Sequence, residues 1–422
     1  MDVRDNRLFL GGCGAESLAA EFGTPLYVYE EDIIRRQCRL LREGFPAYQG
    51  GAAPEFHYAM KANPNPAILR VLQAEGLGVD TVSPFEVRLC LALGFRPEQI
   101  IFTGNNTSDA ELREAIGHRV PVNVGSLSEL ARYGRLNPGG RVACRINPDV
   151  GAGHHPHVIT GGPDSKFGIY HSHLPRMQAI LAEHKLTLTG VHSHIGTGIL
   201  RIEDMLTAME ITLGTAHKLP GLEFVDFGGG FGIPYRPGEA PLPLAELGRE
   251  MSRRFAHFCA GYGQPLRMKF EPGRFLVAQS GTLLARVTTL HATPAHTFIG
   301  TDSGFNHLAR PILYGAYHAI VNASAVAGPP LRAVVAGNIC ESGDVFTQGT
   351  GGIEDRDLVR TAEGDLLAVR DVGAYGFNLA SQYNLRPRPA EVMVQDGKAR
   401  LIRRRESYED VISGYVDEAA NV

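Results

Sequence analysis

Glu55-Phe56-His57-Tyr58-Ala59-Met60-Lys61-Ala62-Asn63-Pro64-Asn65-Pro66 is the stretch on which the fold turns. Apolar and aromatic residues run from 56 to 60 and stop at a single lysine, after which Asn and Pro take over. A short apolar run closed by turn residues is the pattern of a buried strand. Its lysine stands at the strand mouth, where loss of water disfavours the ammonium form. A lysine held partly neutral is a nucleophile, and its usual use is a Schiff base with a carbonyl. Read alone, Lys61 more often marks only the place where a strand meets solvent.

Outward from this stretch the same motif repeats. Apolar segments at 78–83, 100–104, 120–125, 142–147, 186–195, 224–227 and 266–270 alternate with helix-like stretches at 66–75, 84–93, 109–116, 126–133, 174–184, 202–218 and 242–262. Strand–helix alternation implies a parallel sheet. Eight repeats in about 220 residues fit a closed (β/α)8 TIM-type barrel. An open doubly wound sheet is the rival, weakened by the lack of a dinucleotide fingerprint after the first strand. Beyond residue 281 the rhythm changes to short strands with Gly and Pro turns, at 285–291, 296–301, 333–337, 366–370, 391–395 and 398–402. That pattern is expected to form a mostly antiparallel β-sandwich or barrel. The alternating, aromatic segment Leu26-Tyr27-Val28-Tyr29 is expected to join it. The α/β chain is thus divided into a barrel at 30–280 and a β-domain built from both ends, 1–29 and 281–422.

Composition narrows the function. Of 422 residues, 44% are hydrophobic and 20% charged, ordinary for a globular protein. A net charge of −4 gives no reason to expect nucleic acid or an anionic membrane as partner. No apolar run approaches the roughly 20 residues of a membrane span, and the first residues lack the apolar core of a signal peptide. The 6 cysteines form no CxxC pair, which suits a reducing compartment. The expectation is a cytoplasmic protein that handles a small molecule.

In a barrel, active residues stand at the C-terminal ends of the strands. Taken strand by strand, that rule selects Lys61, then Asp80 with Ser83, then His192, Ser193 and His194 ahead of Gly196-Thr197-Gly198, then Gly228-Gly229-Gly230, and finally Glu271-Pro272-Gly273-Arg274. A glycine run frees backbone N–H groups to face an anion, and barrel phosphate sites form after strands 7 and 8. Arg274 adds a charge-assisted contact for phosphate or carboxylate. A carboxylate such as Glu271, set beside a pyridine nitrogen, keeps it protonated and makes the ring an electron sink; the plain alternative is an ion pair with Arg274. His194 is placed to lie flat on such a ring. His192 and His194 also share one strand face and could pair on a metal, but no third ligand is evident, so no metal is expected. His154-His155-Pro156-His157 reads as a solvated loop. In the β-domain, Arg310 and Tyr314 suit a substrate carboxylate. Cys340 is a candidate proton donor, Glu341 an ammonium partner, and Tyr375 a phenol in a glycine turn. Ordinary turn chemistry is the plain alternative for each of these.

With these segments in view, the chain resembles the fold-type III, alanine-racemase-like pyridoxal phosphate decarboxylases, and among them the diaminopimelate decarboxylases. The matching segments are Tyr58–Asn63, Val79–Ser83, His192–Gly198, Gly228–Gly230, Glu271–Arg274, Arg310–Tyr314, Cys340–Asp344 and Gly373–Gly376, in the family's order and across nearly the whole chain. Two further segments, 271–281 and 401–405, look like the enterobacterial branch. The resemblance implies decarboxylation of meso-2,6-diaminopimelate to L-lysine and CO2, the last step of lysine biosynthesis. A related enzyme acting on a D-amino acid (D-ornithine or D-lysine) or on a secondary-metabolite intermediate is the alternative. It implies that Lys61 carries pyridoxal 5'-phosphate as a Schiff base, with Asp80 beside it. His194 would stack on the ring and Glu271 would meet the pyridine nitrogen. Gly228, Gly229, Gly230, Tyr375 and Thr197 (more often serine) would hold the phosphate. Arg274, Arg310, Tyr314 and Tyr375 would grip the substrate, and Glu341 its amino group. Cys340 and Glu341 would come from the second subunit of a homodimer with its active sites at the interface.

Overall fold

The computed structural model describes residues 2–48, 51–149, 162, 164–349 and 351–415. It divides into two compact units, one of Ile34–Pro234 and Glu239–Leu276, the other of Met1–Ile33, Tyr235–Gly238 and Val277–Val422. The His154–His157 cluster lies outside the described residues.

The first unit is a barrel. Its strands are β1 (Glu55–Ala59), β2 (Gly78–Thr81), β3 (Ile100–Phe102), β4 (Asn123–Val124), β5 (Arg141–Asn147), β6 (Thr187–His192), β7 (Phe224–Asp226) and β8 (Arg267–Phe270). Every pairing is parallel. The circuit runs β1–β2–β3, passes by the Phe102–Val122 bridge to β4, continues β5–β6–β7–β8, and closes where Lys269 and Phe270 pair with Glu55 and Phe56. The early helices have well-marked starts. Pro66–Ala74, Pro84–Ala92, Asp109–Gly117 and Leu127–Leu136 begin after Asn65, Ser83, Ser108 and Ser126, whose side chains accept first-turn amides. Ser83 is therefore a helix cap.

Phenylalanines fill the layer between the β8 side of the barrel and its helices. The Phe270 ring lies 4.9 Å from Phe45 and 5.7 Å from each of Phe56, Phe227 and Phe231. Strand residues alternate in direction, so the chain that anchors Phe270 in this layer turns the next side chain, Glu271, the other way.

Two boundaries differ from the sequence reading. Strand β1 stops at Ala59, and Met60–Ala62 forms a single 3-10 turn, so Lys61 sits on the turn that follows the strand. Local bonds make that turn. The Tyr58 hydroxyl donates to the Asn63 carbonyl at 3.0 Å, the Asn65 amide donates to Asn63 Oδ1 at 3.1 Å, and Pro64 and Pro66 carry no N–H for a ladder. Strand β6 likewise ends at His192, which leaves Ser193 and His194 in the loop beyond it.

In the second unit the long strand Gly281–Ala292 pairs antiparallel with Leu26–Glu30, Thr297–Thr301 and Leu366–Arg370. Leu26–Glu30 pairs parallel with Ala390–Gln395, which runs antiparallel to Lys398–Arg403. Segments from the two ends of the chain therefore share one mostly antiparallel sheet. Leu8, Leu18, Leu26, Leu284, Leu366 and Val392 close its core. Tyr235–Gly238 groups with this unit although it follows β7 in sequence; the Tyr235 ring packs against Arg310 and His318. Among the described residues no helix is long and apolar enough to cross a membrane.

Candidate active site

The C-terminal mouth of the barrel holds a buried cluster of charge. Lys61 Nζ stands 4.0 Å from Asp80 Oδ2, and the lysine side chain is 45% exposed while Asp80 is buried. The expectation of a desolvated lysine is therefore corrected: the turn after β1 carries Lys61 out of the packed strand and leaves it partly open to water. Across the mouth, His192 Nε2 lies 2.9 Å from Glu271 Oε2, both buried. The ion pair weighed between Glu271 and Arg274 is not what holds the carboxylate, since Arg274 Nε donates to Thr197 Oγ1 at 3.2 Å.

Three carboxyl groups share this space and cannot all be ionised cheaply. Burial pushes Asp80 well above its ordinary value; Glu271 adds to the rise and Lys61 opposes it. Asp226 is raised by burial and by Glu271, against the amide of Gly228 that it accepts at 2.9 Å. Glu271 goes the other way. Burial works against its charge too, but His192, with its hydrogen bond, Lys61 and His194 outweigh burial and hold Glu271 below the usual range. The site thus keeps one firm anion, Glu271, flanked by two carboxyls that favour their protons. Burial lowers both His192 and His194, while Glu271 pulls both upward. His192 then donates through Nε2 to the carboxylate, and His194 accepts the Gly229 amide on Nδ1 at 3.2 Å.

The glycine run is packed where side chains have no room. A Cβ at Gly229 would sit 2.4 Å from the Glu271 carbonyl, and one at Gly228 2.6 Å from the Ser193 carbonyl. Gly228 and Gly230 have φ of +65° and +107°, conformations that favour glycine. The expectation of three outward amides is narrowed, because Gly228 and Gly229 already donate to Asp226 and His194. The Gly230 carbonyl accepts from Ile199, which ties the run to the Gly196–Gly198 loop.

These residues fit a pyridine ring carrying a phosphate. Among the described residues Glu271 Oε1 is buried and has no hydrogen-bond partner, which is the acceptor a ring N–H requires. A lysine at the mouth and a glycine cradle complete the set. Against the metal reading weighed from the sequence, the structure supplies partners other than His194: ligand atoms of His192, Asp226 and Glu271 lie within 4.8 Å of one another. Bonds to His192 and to the Gly228 amide already occupy one oxygen of Glu271 and of Asp226.

Sequence reasoning passed over two members of the cluster. Asp226 ends β7, where the strand-end rule selects it once the strand is placed. Arg145 breaks the apolar run of β5, a signal that went unread. Burial lowers Arg145 to about 10, while Glu271 and Asp80 pull it upward, so it stays cationic. Its guanidinium lies 4.4 Å from the Phe167 ring centroid.

The second unit places the remaining residues. Arg310 and Tyr314 occupy one face of the short helix Arg310–Tyr314, which ends at Gly315 in the left-handed region. Tyr375 has φ +55° in a turn whose Gly373 amide donates to the Ala278 carbonyl at 2.9 Å. A Cβ at Gly373 would lie 1.9 Å from the Val277 carbonyl, which demands glycine there. Cys340 and Glu341 are exposed on a loop pinned by Asp344, whose carboxylate accepts the Phe305 and Ile339 amides at 2.6 and 2.7 Å.

Residues 31–278 match the family model described as the pyridoxal binding domain of pyridoxal-dependent decarboxylases. The chain is similar to the diaminopimelate decarboxylase of Methanothermobacter thermautotrophicus, 43% identical over 98% of this chain and 97% of that protein. It is 39% identical to the diaminopimelate decarboxylase of Escherichia coli K12 over 94% of each chain. The enterobacterial look of 271–281 and 401–405 does not extend to overall identity, which is higher with the Methanothermobacter relative. A crystal structure of diaminopimelate decarboxylase from M. jannaschii in co-complex with L-lysine superimposes with a TM-score of 0.88 at 33% identity, covering 99% of this chain and 98% of the other.

Proposed function

The chain belongs to the diaminopimelate decarboxylase family of pyridoxal-dependent decarboxylases, and we propose that it decarboxylates meso-2,6-diaminopimelate to L-lysine and CO2 with pyridoxal 5'-phosphate as cofactor. The observation that carries the reading is Glu271: one oxygen held by His192, the other buried without a partner, in the same barrel mouth as Lys61. The cofactor, when bound, supplies an electron sink for the carbanion left as CO2 departs. Lys61 anchors it covalently, with Asp80 alongside. Glu271 accepts the ring N–H and holds its proton in place. His194, fixed by the Gly229 amide, would lie against the ring. Gly230 donates to the phosphate, with Thr197 and Tyr375, while Gly228 and Gly229 permit close approach. Arg274, Arg310 and Tyr314 bind the carboxylate that is retained, and Glu341 the distal ammonium. Cys340 or Lys61 would return a proton to the carbon that lost CO2.

The cofactor-bearing domain is residues 30–280, and the chain ends, 1–29 and 281–422, form the second domain. We assign a cytoplasmic homodimer in which Cys340 and Glu341 serve the partner's cofactor. Support comes from the surface around them. The Cys340 amide donates to Asn384 Oδ1 at 2.9 Å, and Tyr383 and Leu385, which flank that asparagine in sequence, are 46% and 58% exposed. Contiguous exposed apolar side chains mark interaction surfaces.

Product analysis with meso-diaminopimelate, D-lysine and D-ornithine side by side tests the reading. Lysine and CO2 from the first substrate alone are expected. Turnover of D-ornithine or D-lysine in preference would replace the reading with that of a D-amino acid decarboxylase.

A further inference from the structure

Arg310 is held from two sides by neutral groups in its own unit. Its Nη1 lies 3.0 Å from His318 Nε2, and the guanidinium carbon lies 4.8 Å from the Tyr235 ring centroid. The other imidazole nitrogen of His318, Nδ1, is 2.8 Å from the Arg370 carbonyl. A guanidinium only donates and a carbonyl only accepts. His318 can satisfy both in one form alone, the neutral ring with its proton on Nδ1 and its lone pair on Nε2. The ring is fixed further: it is 1% exposed, the Tyr235 ring meets it edge-on at 5.5 Å, and Arg356 Nη1 donates to the His318 carbonyl at 2.8 Å. A neutral acceptor orients the guanidinium and cancels none of its charge. The contact orients the guanidinium plane through one of its donors and leaves it a planar cation.

We propose that His318, with the Tyr235 ring, is the positioning pair that aims Arg310 at the substrate's retained carboxylate and so sets preference for a substrate carrying one. The proposal rests on the role given to Arg310 above and adds the residues that aim it. Two substitutions separate the halves of the imidazole. In His318→Gln the amide oxygen reaches the place of Nε2 and still accepts from Arg310. In His318→Asn the amide nitrogen takes the place of Nδ1 and still donates to the Arg370 carbonyl, while the bond to Arg310 is lost.

The test is steady-state kinetics of the holoenzyme with meso-diaminopimelate, alongside its melting temperature and its cofactor absorbance. H318N is expected to raise KM roughly tenfold or more, the effect of losing one hydrogen bond to a charged group, with kcat, absorbance and melting temperature little changed. H318Q is expected to restore KM to within a few-fold of wild type. An unchanged KM in folded H318N, or H318Q as impaired as H318N, overturns the proposal. Arg310→Ala, run in parallel, separates it from the reading beneath it. If R310A leaves KM unchanged, the role of Arg310 itself is wrong. If R310A raises KM and H318N does not, only the positioning role falls. Should the His318 variants fail to fold, Tyr235→Leu carries the test, and an unchanged KM in that enzyme overturns the proposal.

Discussion

His192 Nε2 and Glu271 Oε2 meet at 2.9 Å inside the barrel mouth, both side chains buried. The bond uses one carboxylate oxygen and turns the other, Oε1, toward a place where no donor among the described residues meets it. Holding a charge there is favourable only while its neighbours stay as they are, because burial alone raises the carboxyl. Glu271→Gln keeps the shape and removes the charge. It is expected to lower kcat by about a hundredfold or more, the scale of removing one preorganised electrostatic contact, with cofactor still bound. His192→Ala leaves Glu271 Oε2 without its donor and is expected to cost kcat about tenfold. Absorbance spectra beside turnover numbers check both, and wild-type kcat in E271Q would remove Glu271 from the mechanism.

Gly229 is where backbone meets backbone. Its Cβ would lie 2.4 Å from the Glu271 carbonyl, an atom with no freedom to swing away. Gly229→Ala must therefore push the glycine run off β8 and disturb the amide that fixes His194. The expected result is a loss of about 1–3 kcal/mol of stability and a clear drop in affinity for pyridoxal phosphate. A cofactor titration followed by absorbance reads the second effect separately from thermal melting. Equal cofactor affinity in G229A and wild type would mean that the run does not shape the site.

Much of this was legible in the sequence, for a physical reason. Each barrel strand is short, apolar and closed by turn residues, so its position shows without knowledge of its neighbours. Lys61, Asp80, Glu271 and the glycines 228–230 fall at the ends of such runs. What stays hidden is which way a fully buried strand faces. A strand buried on both sides lacks the alternation that would reveal it, so Arg145 and Asp226 read as interruptions rather than as members of the charged cluster. Long-range pairing is hidden too. Nothing local indicates that Leu26–Glu30 runs parallel to Ala390–Gln395, or that the Tyr29 hydroxyl donates to Glu391 Oε1 at 2.7 Å. Tyr235 and His318 carry no motif at all; only the folded chain brings their rings to Arg310.

Acid stability offers a prediction tied to one residue. His307 is enclosed between the Ser303 hydroxyl and the Pro387 carbonyl, each at 3.1 Å. Burial lowers it to about 4 from 6.5, against the pull of the Pro387 carbonyl. The unfolded chain therefore binds a proton at a pH where the folded chain does not. Its contribution is whole above pH 6.5 and is lost as pH falls from there toward 4, at a slope approaching about 1.4 kcal/mol per unit. His307→Gln has no such group. The variant is expected to melt below wild type at pH 8, with the gap closing as the buffer is taken to pH 5. A gap that stays constant over that range would show that His307 does not titrate on unfolding.

The composite site makes the last prediction. If Cys340 and Glu341 serve the partner's cofactor, Lys61→Ala and Cys340→Ala damage different halves of each site. In a two-fold symmetric dimer every site takes Lys61 from one subunit and Cys340 from the other. A mixed dimer of the two variants therefore has one site with both defects and one with neither. After subunits exchange at random, half the dimers are mixed and each has one intact site, so activity should recover to roughly a quarter of wild type. Neither variant alone should approach that level. The measurement is turnover after the two purified variants are unfolded together in mild denaturant, refolded and reloaded with cofactor, against each variant treated alone. Sites completed within one subunit would give no gain on mixing, because every mixed dimer would then hold two damaged sites. The exposed Leu385 supplies the control: Leu385→Asp in both variants places a charge on the apolar surface beside Cys340 and should abolish the recovery by preventing the exchange partners from associating.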